Sequence, residues 1–269
     1  MAVGRKVKVF LKKIKRRVKR YLNRNLKYTP DMGKLEILLT TRCNLYCFNC
    51  DISCRQAPSD SYMSIGQIQK FIHESLDTNW LWTRIRLLGG EPLLHPQFLE
   101  IIKLFEGYKK IKPSCRIEVT TNGFGVEVNE MLTRLPSWCD VGNTRKKTVI
   151  HDFSSFNIAP VDLKEYKNDD FSGACIVTQY CGIGLSMHGF YPCAVGAGID
   201  RVCGFDIGIK ELPSINGSRL KTQLETLCGY CGHYKTRYSA ETINEEKMSP
   251  AWLGAYAKYK INAPTLSLY

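Results

Sequence analysis

Cys43, Cys47 and Cys50 form a Cys-x3-Cys-x2-Cys trio directly after the apolar run Leu35-Glu36-Ile37-Leu38-Leu39-Thr40. A cubane iron–sulfur cluster held by thiolates normally takes four cysteines, so a trio leaves one iron open to another ligand. S-adenosylmethionine (SAM) suits that position, because its amino and carboxylate groups chelate the iron while an electron from the cluster cleaves the sulfonium. The cofactor carries such chemistry, and the protein supplies position and shielding. Zinc competes for the same residues, since Cys-x2-Cys pairs are also zinc signatures.

A second stretch favours the cluster. Arg84-Ile85-Arg86-Leu87-Leu88 reads as a buried strand running into Gly89-Gly90-Glu91-Pro92, where two glycines allow close backbone approach to a ligand and a glutamate can take an ammonium. With the cysteine trio after one strand and Gly-Gly-Glu-Pro after the next, the chain resembles the radical SAM superfamily. About 40 residues separate the motifs, as one βα unit and its loop require. The resemblance implies that Gly89, Gly90, Glu91 and Pro92 lie against the methionyl part of SAM. It also places Thr121 and Asn122, in the Thr121-Asn122-Gly123 turn after the alternating stretch Arg116–Thr120, near the cofactor. The residue before the third cysteine is usually aromatic in that family, whereas here it is Asn49, with Phe48 one place back.

Further cysteines follow. Cys175 and Cys181 precede an alternating stretch, Ile183–Met187, a turn at His188-Gly189, and Phe190-Tyr191-Pro192-Cys193, which together read as a β-hairpin; Cys228-Gly229-Tyr230-Cys231 comes later. This pattern resembles the SPASM and Twitch domains that hold auxiliary iron–sulfur clusters behind radical SAM barrels. It implies one auxiliary [4Fe-4S] cluster on Cys193, Cys228 and Cys231, with Cys175 and Cys181 competing for the fourth place; a zinc knuckle is the alternative. Cys54, Cys115, Cys139 and Cys203 read as small buried apolar residues.

The elements that must position these residues follow a βα rhythm. Ser64-x2-Gln67 makes a capping box for a helix with Ile65, Ile68, Ile72 and Leu76 inward. Pro96 begins a second helix with Phe98, Ile101, Ile102 and Phe105 inward, and a shorter one is expected near Glu130 to Leu135. Strands are expected near Val141 and at Thr148-Val149-Ile150, with no full amphipathic helix between Trp138 and Phe171. A complete eight-unit barrel takes about 200 residues or more. The expected fold is therefore α/β: an abbreviated, open parallel (β/α) barrel of radical SAM type over 35–170, a small cysteine-rich domain over 171–240, a C-terminal tail over 241–269 and a basic amphipathic helix over 1–28.

Charge is concentrated in that helix. The chain of 269 residues has a formal net charge of +13, with 38 basic residues, of which twelve fall in 1–28 beside no acid; the remainder holds 26 basic and 25 acidic residues. Its body is therefore no polyanion binder. Val7, Phe10, Leu11, Ile14, Val18, Tyr21 and Leu22 share one helix face in the basic segment, a pattern that fits an anionic membrane surface, self-packing or an acidic partner, and least of all nucleic acid. Twelve cysteines in a chain of this length, without a secretory signal in 1–28, fit a reduced cytoplasm better than a disulfide scaffold. The resemblance further implies a small-molecule substrate and a flavodoxin- or ferredoxin-type electron donor; a carbohydrate, cyclitol or lipid-linked glycan is the preferred substrate, because the basic helix would bring the barrel mouth to a membrane-borne molecule. A dehydrogenation, as in the family's aminocyclitol dehydrogenase, an epimerisation and a peptide modification all stay open. A zinc-binding adaptor is the rival of another class.

Overall fold

The computed structural model describes residues 27–151, 156–236 and 245–269; the basic helix expected over 1–28 lies almost wholly outside them. Three βα units come first: β1 (Lys34–Leu38), α1 (Ile65–Asp77), β2 (Arg84–Leu88), α2 (Phe98–Ile111), β3 (Arg116–Thr121) and α3 (Val126–Thr133), followed by β4 (Asp140–Asn143). Then come α4 (Ile176–Cys181), the hairpin β5 (Ile183–Ser186) and β6 (Gly189–Tyr191), α5 (Ala194–Cys203), α6 (Gly217–Leu227), α7 (Gly232–Thr236) and α8 (Pro250–Ile261).

All six strands join one sheet in the order β4-β3-β2-β1-β5-β6. The chain steps outward from β1 to β4, then returns to the other side of β1, where β5 pairs in parallel as Leu35↔Ile183 and Ile37↔Leu185. Only β5 and β6 are antiparallel. The sheet thus remains open, and the cysteine hairpin continues the strands of 35–170 through β5. Flanked on both sides, β1 buries Leu35 and Ile37 completely, which is why the positions of this strand that face the helices are apolar.

The two sheet faces differ. Leu35, Ile37, Ile85, Leu87, Ile117 and Val119 pack on α1 and α2 in one core. The Ser64 hydroxyl accepts from the Gln67 amide while the Gln67 side chain accepts from the Ser64 amide, so the expected capping box starts α1. Phe98, Ile101, Ile102 and Phe105 point inward from α2 as expected. The short helix begins earlier than expected, at Val126, because Gly125 takes φ 92 and turns the chain there. The other face carries a second core of Leu38, Ile52, Val195, Ile199 and Trp252, built by α5 and α8.

Helix α8 lies within the segment expected as a tail. Its apolar residues are distributed around the axis, with Leu253 and Ile261 exposed and Trp252 fully buried, so no one-sided stripe announces it. Trp252 donates to Tyr230 O (2.8 Å) and packs on Phe156, ring centroids 5.0 Å apart. Trp252→Ala is expected to lower unfolding stability by about 3–5 kcal/mol, read as a fall in denaturant midpoint at unchanged slope; a loss under about 1 kcal/mol would mean that α8 is not part of the core.

Candidate active site

The loop after β1 is held from three sides. On the first, Gly90 N donates to Thr40 O (2.9 Å) and Glu91 N to Arg42 O (2.8 Å), so the Gly-Gly-Glu-Pro turn docks on the chain leading into Cys43. A Cβ on Gly90 would stand 2.3 Å from Arg42 O and 3.0 Å from Cys43 Cβ, and one on Gly89 2.4 Å from Thr40 O. The close approach for which these glycines are needed is therefore to the cysteine loop itself. Glu91, fully buried, accepts from Leu93 N (3.2 Å), Thr121 Oγ1 (2.7 Å) and Asn122 N (2.7 Å), which ties the end of β2 to the end of β3. Burial raises its pKa, against the donation from Asn122, Thr121 and Leu93.

On the second side, Asn122 Nδ2 lies 4.0 Å from Cys43 Sγ and donates to Asn44 Oδ1 (2.8 Å), while Asn44 Nδ2 donates to Phe124 O. Gly123, at φ 68, keeps that turn tight; a Cβ there would fall 2.1 Å from Asn143 Oδ1. The stretch expected as a strand at Thr148–Ile150 has no place in the sheet. It runs beside the cysteine loop instead, where Tyr46 N donates to Val149 O (2.7 Å) and Phe48 N to His151 O (2.8 Å), one bond on each side of Cys47.

The third side is C-terminal and has no counterpart in the sequence reading. Asn49, buried and at φ 53, donates to Glu245 O (3.0 Å) and accepts from Lys247 N (3.3 Å). Asparagine tolerates that left-handed backbone where an aromatic side chain does not, and its amide satisfies both partners. Gln56 donates to Cys47 O and to Glu246, and Ser53 Oγ meets Tyr256 OH at 2.8 Å.

Burial pushes the Cys43 thiol up to about 12 and raises Cys47 as well. Cys50 is lowered, chiefly by the side-chain hydrogen bond from the buried Cys54. Buried thiols of this kind become thiolates when a metal centre takes them, and the donor set fits an iron–sulfur cluster with one open iron. Among the described residues no three thiol, imidazole or carboxylate groups converge tightly enough for a single metal ion.

A second group of cysteines lies behind α5. Cys175, Cys193, Cys228 and Cys231 line one cavity together with Pro192 and His233. Cys193 directly precedes α5, Cys175 precedes α4 and Cys228 follows α6, so three of the four cavity cysteines sit at helix termini and the fourth closes the Cys228-x2-Cys231 turn. Burial raises Cys193 and Cys231. His233 Nε2 meets Asp51 Oδ2 at 3.3 Å, which joins this region to the residue after Cys50. Cys181 does not line the cavity. Its thiol, pushed up to about 12 by burial, contacts Glu36 on the sheet face away from α1 and α2.

That face carries a charged row. Glu36, Arg86 and Glu118 occupy matched positions on β1, β2 and β3. Arg86 donates to Glu36 Oε1 (2.7 Å) and Glu118 Oε1 (2.9 Å). Burial raises the pKa of Glu36, opposed by the charge of Arg86. The row is visible in the sequence only once the three strands are laid side by side.

Residues 37–141 match the model of the Radical SAM superfamily. The chain is 33% identical over 101 residues to a probable GTP 3',8-cyclase of Methanococcus maripaludis, covering 38% of this chain and 32% of the relative. It is 32% identical over 100 residues to the GTP 3',8-cyclase of Campylobacter curvus, covering 36% and 30%. This chain thus spans about a third of the length of the curated relatives it matches. Among solved structures it is similar to BtrN in complex with AdoMet and 2-DOIA, at 12% identity and a TM-score of 0.45 over 82% of this chain and 98% of that one. It is also similar to Streptococcus suis SuiB bound to S-adenosylmethionine, at 18% identity and a TM-score of 0.30 over 49% and 28%.

Proposed function

We propose that this chain, whose residues 37–141 match the Radical SAM superfamily model, is an enzyme that cleaves SAM reductively and abstracts a hydrogen from an unactivated carbon of its substrate. Cys43, Cys47 and Cys50 would hold the SAM-binding [4Fe-4S] cluster, and Gly89, Gly90, Glu91, Pro92, Thr121 and Asn122 would form the SAM site around it. A cluster held there would supply the electron, drawn from a flavodoxin- or ferredoxin-type donor, for reductive cleavage of SAM, and these residues would position SAM for it. The observation that carries this reading is the docking of Gly89-Gly90-Glu91 on the chain entering Cys43, which makes the two motifs one structural unit.

The fate of the substrate radical depends on residues of the second half. Cys175, Cys193, Cys228 and Cys231 would hold an auxiliary [4Fe-4S] cluster in a unit spanning 171–240; such a cluster would supply an acceptor for one electron from the substrate radical, which with loss of a proton to solvent would make the net reaction a dehydrogenation. Cys181 favours a second reading. A protonated thiol beside Glu36 can return a hydrogen atom to the substrate radical, leaving a thiyl radical that one electron from the flavodoxin- or ferredoxin-type donor and a proton from water would restore; return to the opposite face is an epimerisation. The substrate we favour is a carbohydrate, cyclitol or lipid-linked glycan, whose hydroxyls suit the row of Glu36, Arg86 and Glu118. The basic segment 1–28 would bring the enzyme to an anionic membrane surface; among the described residues no helix is long and apolar enough to cross a membrane.

Protein purified without oxygen is expected to contain iron and acid-labile sulfide and to form 5′-deoxyadenosine from SAM under dithionite. A colourless zinc protein would overturn the reading in favour of a zinc-binding adaptor. Cys181→Ala separates the two outcomes: dehydrogenation survives it, whereas epimerisation loses solvent-derived deuterium in its product.

A further inference from the structure

Arg201, in the last turn of α5, is a buried cation whose partners among the described residues are all neutral. Nη1 donates to Ala57 O (2.8 Å) and Tyr259 OH (2.9 Å), and Nη2 to Ile52 O (3.0 Å) and Ser53 O (3.3 Å). The Ser59 hydroxyl lies 3.4 Å from Nη1, and Nε has no partner among the described residues although it is buried. The neighbouring Asp200, fully buried, accepts from Tyr191 OH (2.7 Å) and Ile207 N (3.2 Å) through Oδ2, and its Oδ1 has no hydrogen-bond partner among the described residues; it forms no ion pair with Arg201. A buried guanidinium ordinarily has a carboxylate beside it, because removing an unpaired charge from water costs several kcal/mol. Every carbonyl that Arg201 grips belongs to the stretch from Ile52 to Ala57, just after Cys50, so the charge is fastened to the underside of the cysteine loop.

We infer that Arg201 is the positioning residue and fixed counter-charge of the SAM-binding cluster, pinning the chain after Cys50 and favouring the reduced state of the iron. This rests on the reading of Cys43, Cys47 and Cys50 given above. Three thiolates give that site a net negative charge, and each added electron makes it more negative, so a fixed cation in a water-poor setting raises the reduction potential. The planar fork matters as well: it spans carbonyls of residues 52, 53 and 57 at once, which a lysine ammonium does not do in a fixed plane.

The test is an EPR-monitored redox titration of the reconstituted full chain, with and without SAM, so that the SAM-responsive signal is followed apart from any other cluster. Arg201→Gln is expected to lower the reduced-to-oxidised ratio at a fixed potential about tenfold, a shift of about 59 mV for a one-electron couple. Arg201→Lys is expected to retain the wild-type midpoint while holding less iron. Tyr259→Phe, which removes a neutral partner only, should leave the midpoint unchanged. A SAM-responsive signal with the same midpoint in wild type and Arg201→Gln overturns this inference alone. Loss of the cluster from both Arg201→Gln and Arg201→Lys overturns the counter-charge role and leaves only the pinning of the chain after Cys50. A wild-type protein whose signal does not respond to SAM overturns the radical SAM reading and this inference together.

Discussion

Alanine at Cys43, Cys47 and Cys50 together is expected to abolish 5′-deoxyadenosine formation and to remove one cluster's worth of iron, while a [4Fe-4S] spectrum persists. The loss should be complete, since among the described residues no other group of thiols lies beside the Gly89-Gly90-Glu91 turn; Cys54, a spare thiol of the same loop, is directed at Cys50. The persisting spectrum is assigned to the cavity lined by Cys175, Cys193, Cys228 and Cys231. In the triple-alanine background, Cys175→Ala should therefore bleach the remaining signal and Cys181→Ala should spare it. Iron measurements and EPR spectra check both parts. Continued reductive SAM cleavage by the triple variant would remove the assignment of the first site, and equal effects of Cys175→Ala and Cys181→Ala would remove that of the second.

What was legible in the sequence is what is local. The capping box of Ser64 and Gln67, the inward face of α2 and the hairpin before Cys193 each depend on residues within a few positions of one another, so spacing alone reveals them. The Cys175 and Cys181 alternatives could not be separated that way. The two thiols are six residues apart in sequence, at opposite ends of α4; Cys175 lines the cavity behind α5, whereas Cys181 contacts Glu36 and is also near enough to Cys193 to act on it electrostatically. The missed contributions are all long-range. Asn49 meets Glu245 and Lys247, Arg201 meets residues 52, 53 and 57, and Glu36, Arg86 and Glu118 align only through strand register. In each case a polar residue in one segment answers backbone or charge in another nearly 200, 150 or 30 to 50 positions away, and no period in the chain encodes that pairing.

Gly90→Ala tests the unit that this long-range packing creates. The added methyl would lie 2.3 Å from Arg42 O and 3.0 Å from Cys43 Cβ, and backbone rather than a flexible side chain is in the way. Either the Gly-Gly-Glu-Pro turn retreats, breaking the bonds from Gly90 N to Thr40 O and from Glu91 N to Arg42 O, or the chain entering Cys43 moves. Overpacking of this size costs about 1–3 kcal/mol, less than the stability of an ordinary domain, about 5–15 kcal/mol, so the variant is expected to fold. Misplacement by about 1 Å can cost a reaction about a hundredfold, so the rate of SAM cleavage should fall by about that factor while the melting temperature falls by only a few degrees. Gly107→Ala is the control: it lies in α2 with no atom within 4 Å of the added methyl, and alanine in a helix is favoured over glycine by about 0.5–1 kcal/mol. Rates within twofold of each other for the two variants would mean that the glycine turn does not set the position of Cys43.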